Sequence, residues 1–219
     1  MKQKHKVALL IALGVWPLSG KWEVLDWELA ETEDRASWET LLVRLETRGV
    51  RRQRGVTLLI HDGGAGLVAA LNYIFPHIPH QRCVFHKLRN VWSAIVCPET
   101  LDRRAARQLR SAIIQQAAAI YRATTRAQAI TLFNAFQQHW REQQPEVVAT
   151  LARDWEDTSR FYAVWQQYPQ WQVNTLRTTS LLERVNRMVR RLIRAANAYH
   201  SDQGLLASVA RILMPYRAT

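Results

Sequence analysis

Two acidic residues occupy positions from which a carboxylate could take part in chemistry, and the first is Asp62. It ends the apolar run GVTLLIHD, residues 55–62, and glycines follow it. The carboxyl end of a buried strand opens onto the crevice where ligands collect in open α/β sheets, so Asp62 could face a substrate or a metal ion. A second interpretation is equally open, because Asp-Gly is a common turn pair and Asp62 could bond its own backbone and cap the next helix.

The second acidic residue is Glu183, near the start of residues 180–196, where apolar residues recur at helical spacing. Taken alone, a carboxylate in a first helical turn is explained by the helix dipole and by pairing with Arg187. Two carboxylates brought together from distant segments are what Mg²⁺ or Mn²⁺ requires, because these ions prefer oxygen ligands. Asp62 and Glu183 are therefore the predicted catalytic and metal-binding pair.

Positive charge is concentrated in the downstream part of the chain. The formal net charge is +12; residues 1–79 carry 10 Lys and Arg against 9 Asp and Glu, and residues 80–219 carry 20 against 9. A concentrated basic lobe is typical of a protein that binds nucleic acid. The alternative is that these side chains form a solvated basic surface without a partner. The predicted DNA contacts are His86, Lys87, Arg89, Asn90, Arg177, Arg184, Arg187, Arg190, Arg191 and Arg194.

Cysteine usage argues against a disulfide framework. Cys83 and Cys97 are the only cysteines, which is too few for a disulfide-stapled fold or a four-cysteine zinc site. Cys83 and His86 have the spacing of half a zinc site, but no second pair at metal spacing accompanies them. We predict that Cys83 packs in a strand.

The early apolar run 7–16 is too short to span a bilayer. We therefore predict that the protein lies in the cytoplasm, at the nucleoid, and has no membrane partner.

The elements that must position these residues follow from periodicity and turn residues. Two apolar runs around Pro17 and Gly20 predict an antiparallel hairpin. A helix, a buried strand, a second helix and a further strand follow, which gives the order β-β-α-β-α-β. The predicted bounds are 6–16 and 22–30 for the hairpin, 34–49 for the helix, 55–62 for the strand, 67–75 for the next helix, 80–86 for the last strand, 88–168 for an all-helical stretch and 180–196 for a final helix.

Three segments together carry a family resemblance. LLIHDGGAGLVAAL, FPHIPHQRCVFHKLRNV and RTTSLLERVNRMVRRLIR resemble the mutator-type transposases of bacterial insertion sequences, and the likeness runs over essentially the whole chain. The resemblance implies an α/β, RNase H-like mixed sheet (1–87), an all-helical insertion (88–172) and a C-terminal catalytic helix and tail (173–219). It also implies an Asp-Asp-Glu triad that binds two Mg²⁺ or Mn²⁺ ions, with Asp62 as the second aspartate and Glu183 as the glutamate. Cys83 to His86, with Lys87, Arg89 and Asn90, matches the family's Cys-x-x-His motif.

The sequence departs from the family pattern at its start. The family's first aspartate lies on a strand before the hairpin, for which the segment before Lys6 has no room. We therefore expect a sheet without its first strand and very weak catalysis by this chain alone. Asp26 is expected to have a surface or edge role and not to replace the missing ligand.

Three functions compete on these grounds. The leading one is a transposase core, active only in its full-length form and acting as a homo-oligomer on transposon ends and target DNA. The second is a catalytically dead DNA-binding module that regulates an intact transposase. The third is an RNase H-like nuclease, which gives no reason for the RTTSLLER motif.

Overall fold

The computed structural model describes residues 7–195 and 202–217, and the chain divides into two compact units. Unit 1 is Met1–Pro79 with Thr179–Thr219, and unit 2 is His80–Thr178. In chain order the described elements are β1 (Ala8–Trp16), β2 (Lys21–Ala30), α1 (Arg35–Thr47), a 3₁₀ turn (Arg52–Arg54), β3 (Leu59–His61), α2 (Ala65–Ile74), β4 (His80–Arg82), α3 (Val84–Ala94), α4 (Arg103–Arg122), α5 (Arg126–Trp140), α6 (Pro145–Ala152), α7 (Trp155–Ser159), α8 (Phe161–Gln167), α9 (Val173–Arg177), α10 (Ser180–Ala195), α11 (Asp202–Leu213) and a second 3₁₀ turn (Met214–Tyr216).

The predicted order β-β-α-β-α-β is confirmed, but two strands are shorter than predicted. β3 takes only the last part of the predicted run, and β4 ends at Arg82. The prediction that Cys83 packs in a strand is wrong, because Cys83 is the N-cap residue of α3. Val84, Val91 and Ile95 are buried at helical spacing, a period that a window as short as 80–86 does not reveal.

The α/β class is confirmed, whereas the RNase H-like sheet stays a prediction. The sheets among the described residues are two-stranded. The predicted helical stretch after residue 88 and the helix predicted over 180–196 are confirmed, and α10 ends at Ala195. This helix is not the final one, because α11 follows it. Residue 196, which the prediction included, lies outside the described residues.

The β1–β2 hairpin contains a bulge that explains its irregular alternation. Its antiparallel register shifts between Ala12, which pairs with Asp26, and Leu13, which pairs with Val24. Leu25 is therefore the extra residue, and one extra residue reverses which face the following side chains occupy. As a result, side chains on both sides of the bulge pack in the same core: Trp22, Val24, Trp27 and Leu29.

Helices cover both faces of this hairpin. On one face, Leu10 packs with residues of α1 and α2, among them Leu41, Leu42, Leu45, Ala70 and Leu71. On the other face, Ile11 and Val24 pack with residues of α10 and α11: Val185, Val189, Val209 and Leu213. The apolar stripe of α10 is thus fixed against the sheet, and this packing sets the position of Glu183.

Gly66 allows α2 to begin beside the start of α1. A Cβ atom at Gly66 would lie 2.7 Å from the Glu33 carbonyl oxygen and 2.9 Å from the Arg35 nitrogen. Because these neighbours are backbone atoms, Gly66→Ala should lower the free energy of unfolding by about 1–3 kcal/mol, measured by urea denaturation. Gly64→Ala is the matched control, since its Cβ would meet only the Asp62 Oδ1 atom, at 3.6 Å. Equal stability of the two variants would contradict this account of the packing.

Unit 2 has a helical core that contains several buried aromatic residues. Tyr121 and Phe161 are fully buried, and Phe133 stacks on Trp155 with ring centroids 4.4 Å apart. The Tyr162 hydroxyl donates to the Ile120 carbonyl at 2.5 Å, and burial raises the pKa of Tyr162 to about 12. Buried aromatic hydroxyls that have hydrogen-bond partners fix the helices in one arrangement.

Candidate functional site

Asp62 follows β3 directly, and its side chain is exposed. Its Oδ1 atom accepts a hydrogen bond from the Gly64 N–H at 3.1 Å, and Gly63 has φ +93°, the left-handed conformation that favours glycine. The turn that the second interpretation predicted for Asp62 is therefore observed, whereas the predicted cap is not, since Gly64 is the N-cap residue of α2. It leaves the metal interpretation open, because a carboxylate has about four lone-pair sites and one accepted bond occupies one of them.

Glu183 lies in the first turn of α10. Its backbone N–H donates to the Thr179 carbonyl at 3.0 Å, so the helix is already formed at this residue. The side chain is partly buried: Oε1 is shielded from solvent, and Oε2 lies 4.0 Å from Nη1 of Arg187. The pairing with Arg187 expected on the basis of helix spacing is thus observed, at the long end of the ion-pair range.

Asp62 and Glu183 both belong to unit 1, one after β3 and the other on the helix that packs against the hairpin. Carboxylate oxygens are the ligand type that Mg²⁺ and Mn²⁺ prefer, so the two residues suit a divalent ion in chemistry. In the part of the chain that the structure describes, no group of three or more His, Cys, Asp and Glu side chains is placed to hold a metal ion.

Asp26 was expected to have a surface or edge role, but its side chain is only 13% exposed and takes part in ion pairs. Its carboxylate lies 3.0 Å from Nε of Arg44 and 3.6 Å from Nη1 of Arg48, and Arg44 also bonds Glu28 at 2.5 Å. Burial lowers the pKa of Arg44, but the hydrogen bonds with Glu28 and Asp26 outweigh this effect and raise it. Asp26 therefore joins β2 to α1.

Cys83 and His86 lie at the start of α3. The Cys83 thiol is buried and not in a disulfide, and His86 is partly exposed in the first turn. The other cysteine, Cys97, is not in a disulfide either, and its Sγ atom lies 3.8 Å from the Ala106 carbonyl oxygen. The buried thiol favours a packing role for Cys83. His61, which precedes Asp62, is also buried.

Lys87 is buried in unit 2, with 5% of its surface exposed. Its ammonium donates to the Thr150 carbonyl at 2.8 Å and to the Arg153 carbonyl, and it lies 3.5 Å from Asp154. Burial lowers the pKa of Lys87, and the charge of Asp154 opposes this effect. These contacts favour a structural role for Lys87, which ties α3 to the end of α6. A pocket of about 320 Å³ beside it is lined by Arg82, Lys87, Asn90, Ser93, Thr150, Arg153 and Asp154.

The other predicted contacts in unit 2 divide into two groups. Arg89 and Asn90 are exposed on α3 and could reach DNA. Arg177 is partly buried: it donates to the Tyr121 carbonyl at 2.6 Å and to Oδ1 of Asn174 at 2.6 Å. Burial lowers the pKa of Arg177. Its contacts favour a role in joining α9 to α4.

The arginines of α10 occupy the helix faces opposite its buried stripe. Val185 and Val189 are buried, whereas the four arginines whose side chains are described are exposed: Arg184, Arg187, Arg190 and Arg191. The side chain of the fifth predicted contact, Arg194, lies outside the described residues. The exposed arginines give α10 a basic surface suited to phosphate groups.

Sequence reasoning missed Gln81, which is fully buried in unit 2. Its Nε2 atom donates to the Arg82 and Thr158 carbonyls at 2.6 and 2.7 Å, and its Oε1 atom accepts from the Phe161 N–H at 2.8 Å. The signal available in the sequence was a polar residue at the second position of the predicted strand HQRCVFH.

Gln81→Leu should lower the free energy of unfolding by roughly 2 kcal/mol, because the Thr158 carbonyl and the Phe161 N–H would stay buried without a partner. Thermal denaturation followed by circular dichroism measures this loss. Gln138→Leu, at an exposed position of α5, is the control and should change stability little. If both variants unfold at the same temperature, the hydrogen bonds of Gln81 do not stabilise unit 2.

Comparison with known proteins gives the family. A family model described as "Transposase, Mutator family" matches residues 2–217. The chain therefore belongs to the mutator family of transposases, as its motifs predicted.

The chain is also similar in sequence to individual insertion-sequence transposases. The chain is 34% identical over 208 residues to the transposase for insertion sequence element IS406 of Burkholderia multivorans, covering 94% of this chain and 49% of that protein. It is 29% identical over 201 residues to the transposase for IS905 of Lactococcus lactis, covering 91% of this chain and 46% of that protein. It is 25% identical over 206 residues to the transposase for IS256 in transposon Tn4001 of Staphylococcus aureus, covering 93% of this chain and 48% of that protein. The chain thus spans about half the length of these relatives.

Among the described residues, no helix is both long enough and apolar enough to cross a bilayer.

Proposed function

We propose that this chain is the catalytic core of an insertion-sequence transposase, which cuts DNA strands and joins them by phosphoryl transfer. The observation that carries the proposal is the presence of Asp62 and Glu183 in one compact unit, with Glu183 on a helix whose exposed faces are rich in arginine. Membership of the mutator family supports it. The helices on both faces of the hairpin suit an RNase H-like core over residues 1–87 and 173–219, with 88–172 as its helical insertion.

Asp62 and Glu183 are proposed to hold a divalent ion, Mg²⁺ or Mn²⁺, with two ions in the intact enzyme. A third carboxylate would come from the part of the relatives' length that this chain does not span. When bound, such ions polarise the scissile phosphate and lower the pKa of the attacking hydroxyl or water. The protein's own contribution is to hold the two carboxylates in place, through the turn after β3 and through the packing of α10.

DNA is the proposed partner, as transposon ends and as target, bound by a homo-oligomer at the nucleoid. The exposed arginines of α10 follow Glu183 within two helical turns, so they would hold the phosphate backbone near the carboxylates. Arg89 and Asn90 of α3 are the proposed contacts in unit 2. The contacts of Lys87 and Arg177 assign these two residues to the support of the fold.

A strand-transfer assay tests the proposal. The protein that carries this chain is incubated with duplex DNA bearing the ends of its own element, in Mg²⁺ or Mn²⁺, and the joined products are counted. Activity that requires the metal and is lost in both Asp62→Asn and Glu183→Gln supports the proposal. Activity that survives both substitutions defeats the site assignment.

A second candidate function is a DNA-binding module that regulates an intact transposase. It is favoured by the exposed arginines of α10, which form a surface that needs no metal to bind DNA. Co-expression of the chain with an intact transposase distinguishes the two functions. A regulator lowers transposition equally well with Asp62→Asn and Glu183→Gln, whereas a catalytic core depends on both carboxylates.

A further inference from the structure

Helix α3 exposes two large aromatic side chains on one face. Phe85 is 53% exposed and Trp92 is 44% exposed. They lie seven residues apart in the helix, and residues at this spacing share a face about two turns apart. The buried face of the helix is formed by other residues, Val84, Lys87 and Val91. The core of unit 2 therefore does not account for Phe85 and Trp92.

One cation lies against the ring of Trp92, and other arginines lie on α3 and α4. The Arg110 guanidinium of α4 lies 5.5 Å from the centroid of the Trp92 ring, and its Nη1 atom lies 3.4 Å from the Trp92 carbonyl oxygen. Arg89 is exposed on α3 between Phe85 and Trp92. Three more exposed arginines lie in the first two turns of α4: Arg103, Arg104 and Arg107.

The nearby acids do not cancel this charge. Residues 89–110 carry five arginines, at 89, 103, 104, 107 and 110, against two acids, Glu99 and Asp102. The Asp102 carboxylate already caps α4, where it accepts from the Ala105 N–H at 2.7 Å. The aromatic face of α3 is thus bordered by net positive charge.

A cation beside an exposed aromatic ring also occurs in unit 1, with the opposite electrostatic setting. There the Arg35 guanidinium lies 5.2 Å from the centroid of Tyr73, which is 67% exposed. Arg35 is paired with Glu39 at 2.5 Å, and residues 31–39 contain Glu31, Glu33, Asp34 and Glu39. The aromatic ring in unit 1 therefore lies among acids, and the ring in unit 2 lies among arginines.

We propose that Trp92, with Arg89 and Arg110, forms a stacking site for an unpaired base of single-stranded DNA. This inference rests on the proposed function, in which the chain acts on DNA. Base stacking on aromatic side chains combined with phosphate binding by cations is the way proteins hold single strands, and duplex DNA has no free base face to offer. If a protein docked an apolar surface on this face, the charged Arg89 between Phe85 and Trp92 would lie against that surface. The positive charge of Arg89 therefore favours a nucleic acid as the partner.

The test compares three fluorescent DNAs by anisotropy: a thymine single strand, the same strand with abasic sites in place of its bases, and a duplex. Trp92→Ala should weaken binding of the thymine strand by about tenfold, within the roughly 5- to 150-fold range of single-base stacking. Binding of the duplex and of the abasic strand should change less than twofold. Trp92→Phe should restore most of the affinity, and Tyr73→Ala should bind all three DNAs like the unmodified chain.

Each contrary result has a distinct meaning. An equal loss on all three DNAs, or no loss on the thymine strand, overturns the stacking site while leaving the proposed function intact. A change from dimer to monomer in sedimentation of Trp92→Ala, with single-strand binding unchanged, assigns this face to a second copy of the chain and overturns the inference. A chain that binds none of the three DNAs defeats the DNA-binding part of the proposed function together with this inference.

Discussion

Replacing Asp62 by asparagine or Glu183 by glutamine is expected to reduce strand transfer more than 100-fold in the protein that carries this chain. Both changes keep the size of the side chain and remove the negative charge that a divalent ion needs. The loss of groups that only support metal ligands already costs roughly 10- to 100-fold, so the loss of a direct ligand should exceed that range. Initial rates of product formation in Mg²⁺ and in Mn²⁺ give the measurement.

Two acids of α1 serve as controls for this experiment. Asp34 caps α1, accepting from the Ser37 N–H at 2.9 Å, and Glu39 forms an exposed pair with Arg35. Asp34→Asn and Glu39→Gln remove the same charge and should retain activity within about threefold, apart from a small loss of stability through the cap. If the controls lose as much activity as Asp62→Asn and Glu183→Gln, general charge and not metal binding explains the effect.

Removal of the basic surface of α10 is expected to have the second large effect. The variant Arg184→Ala, Arg187→Ala, Arg190→Ala, Arg191→Ala should weaken duplex binding roughly 10³-fold at 0.1 M salt, and it should reduce the slope of log affinity against log salt by about 3 to 4. The side chains are exposed and alanine favours helices, so the fold should persist. Salt-dependent anisotropy gives both quantities.

The matched control removes the same charge from another surface of unit 1. Arg35, Arg51, Arg52 and Arg54 are exposed around α1 and the turn that follows it, and their joint replacement by alanine also lowers the net charge by four. We expect this control to lose less than about tenfold in affinity with a salt slope close to that of the unmodified chain. Similar losses in the two quadruple variants would show that overall charge, and not α10, binds DNA.

The sequence was informative where a short period or a turn residue fixes the backbone. Helices α1 and α10 were predictable because their apolar residues recur at spacings of three to four over many residues. The hairpin was predictable because two apolar runs flank the turn residues Pro17 and Gly20. The turn at Asp62 was also predictable, because Asp-Gly is a common turn pair. In the structure the glycine that follows Asp62 adopts φ +93°. The carboxylates could be named for the same reason, because each stands at the end of a recognisable element.

The sequence was uninformative where a side chain finds its partner far along the chain. Lys87 bonds carbonyls of residues 150 and 153, and Gln81 bonds residues 158 and 161. Local pattern cannot distinguish such a buried cation from one that contacts DNA, since long-range packing decides whether it is exposed. The exposure of Trp92 was hidden for the same reason, because nine tryptophans gave no indication of which one faces solvent.

Mn²⁺ titration followed by electron paramagnetic resonance shows whether Asp62 and Glu183 bind the same divalent ions. We expect Asp62→Asn and Glu183→Gln each to weaken the same bound Mn²⁺ by about tenfold or more, and Asp34→Asn to leave its binding unchanged. The contrary result is Mn²⁺ binding that neither substitution changes, or two separate ions of which each substitution removes only its own.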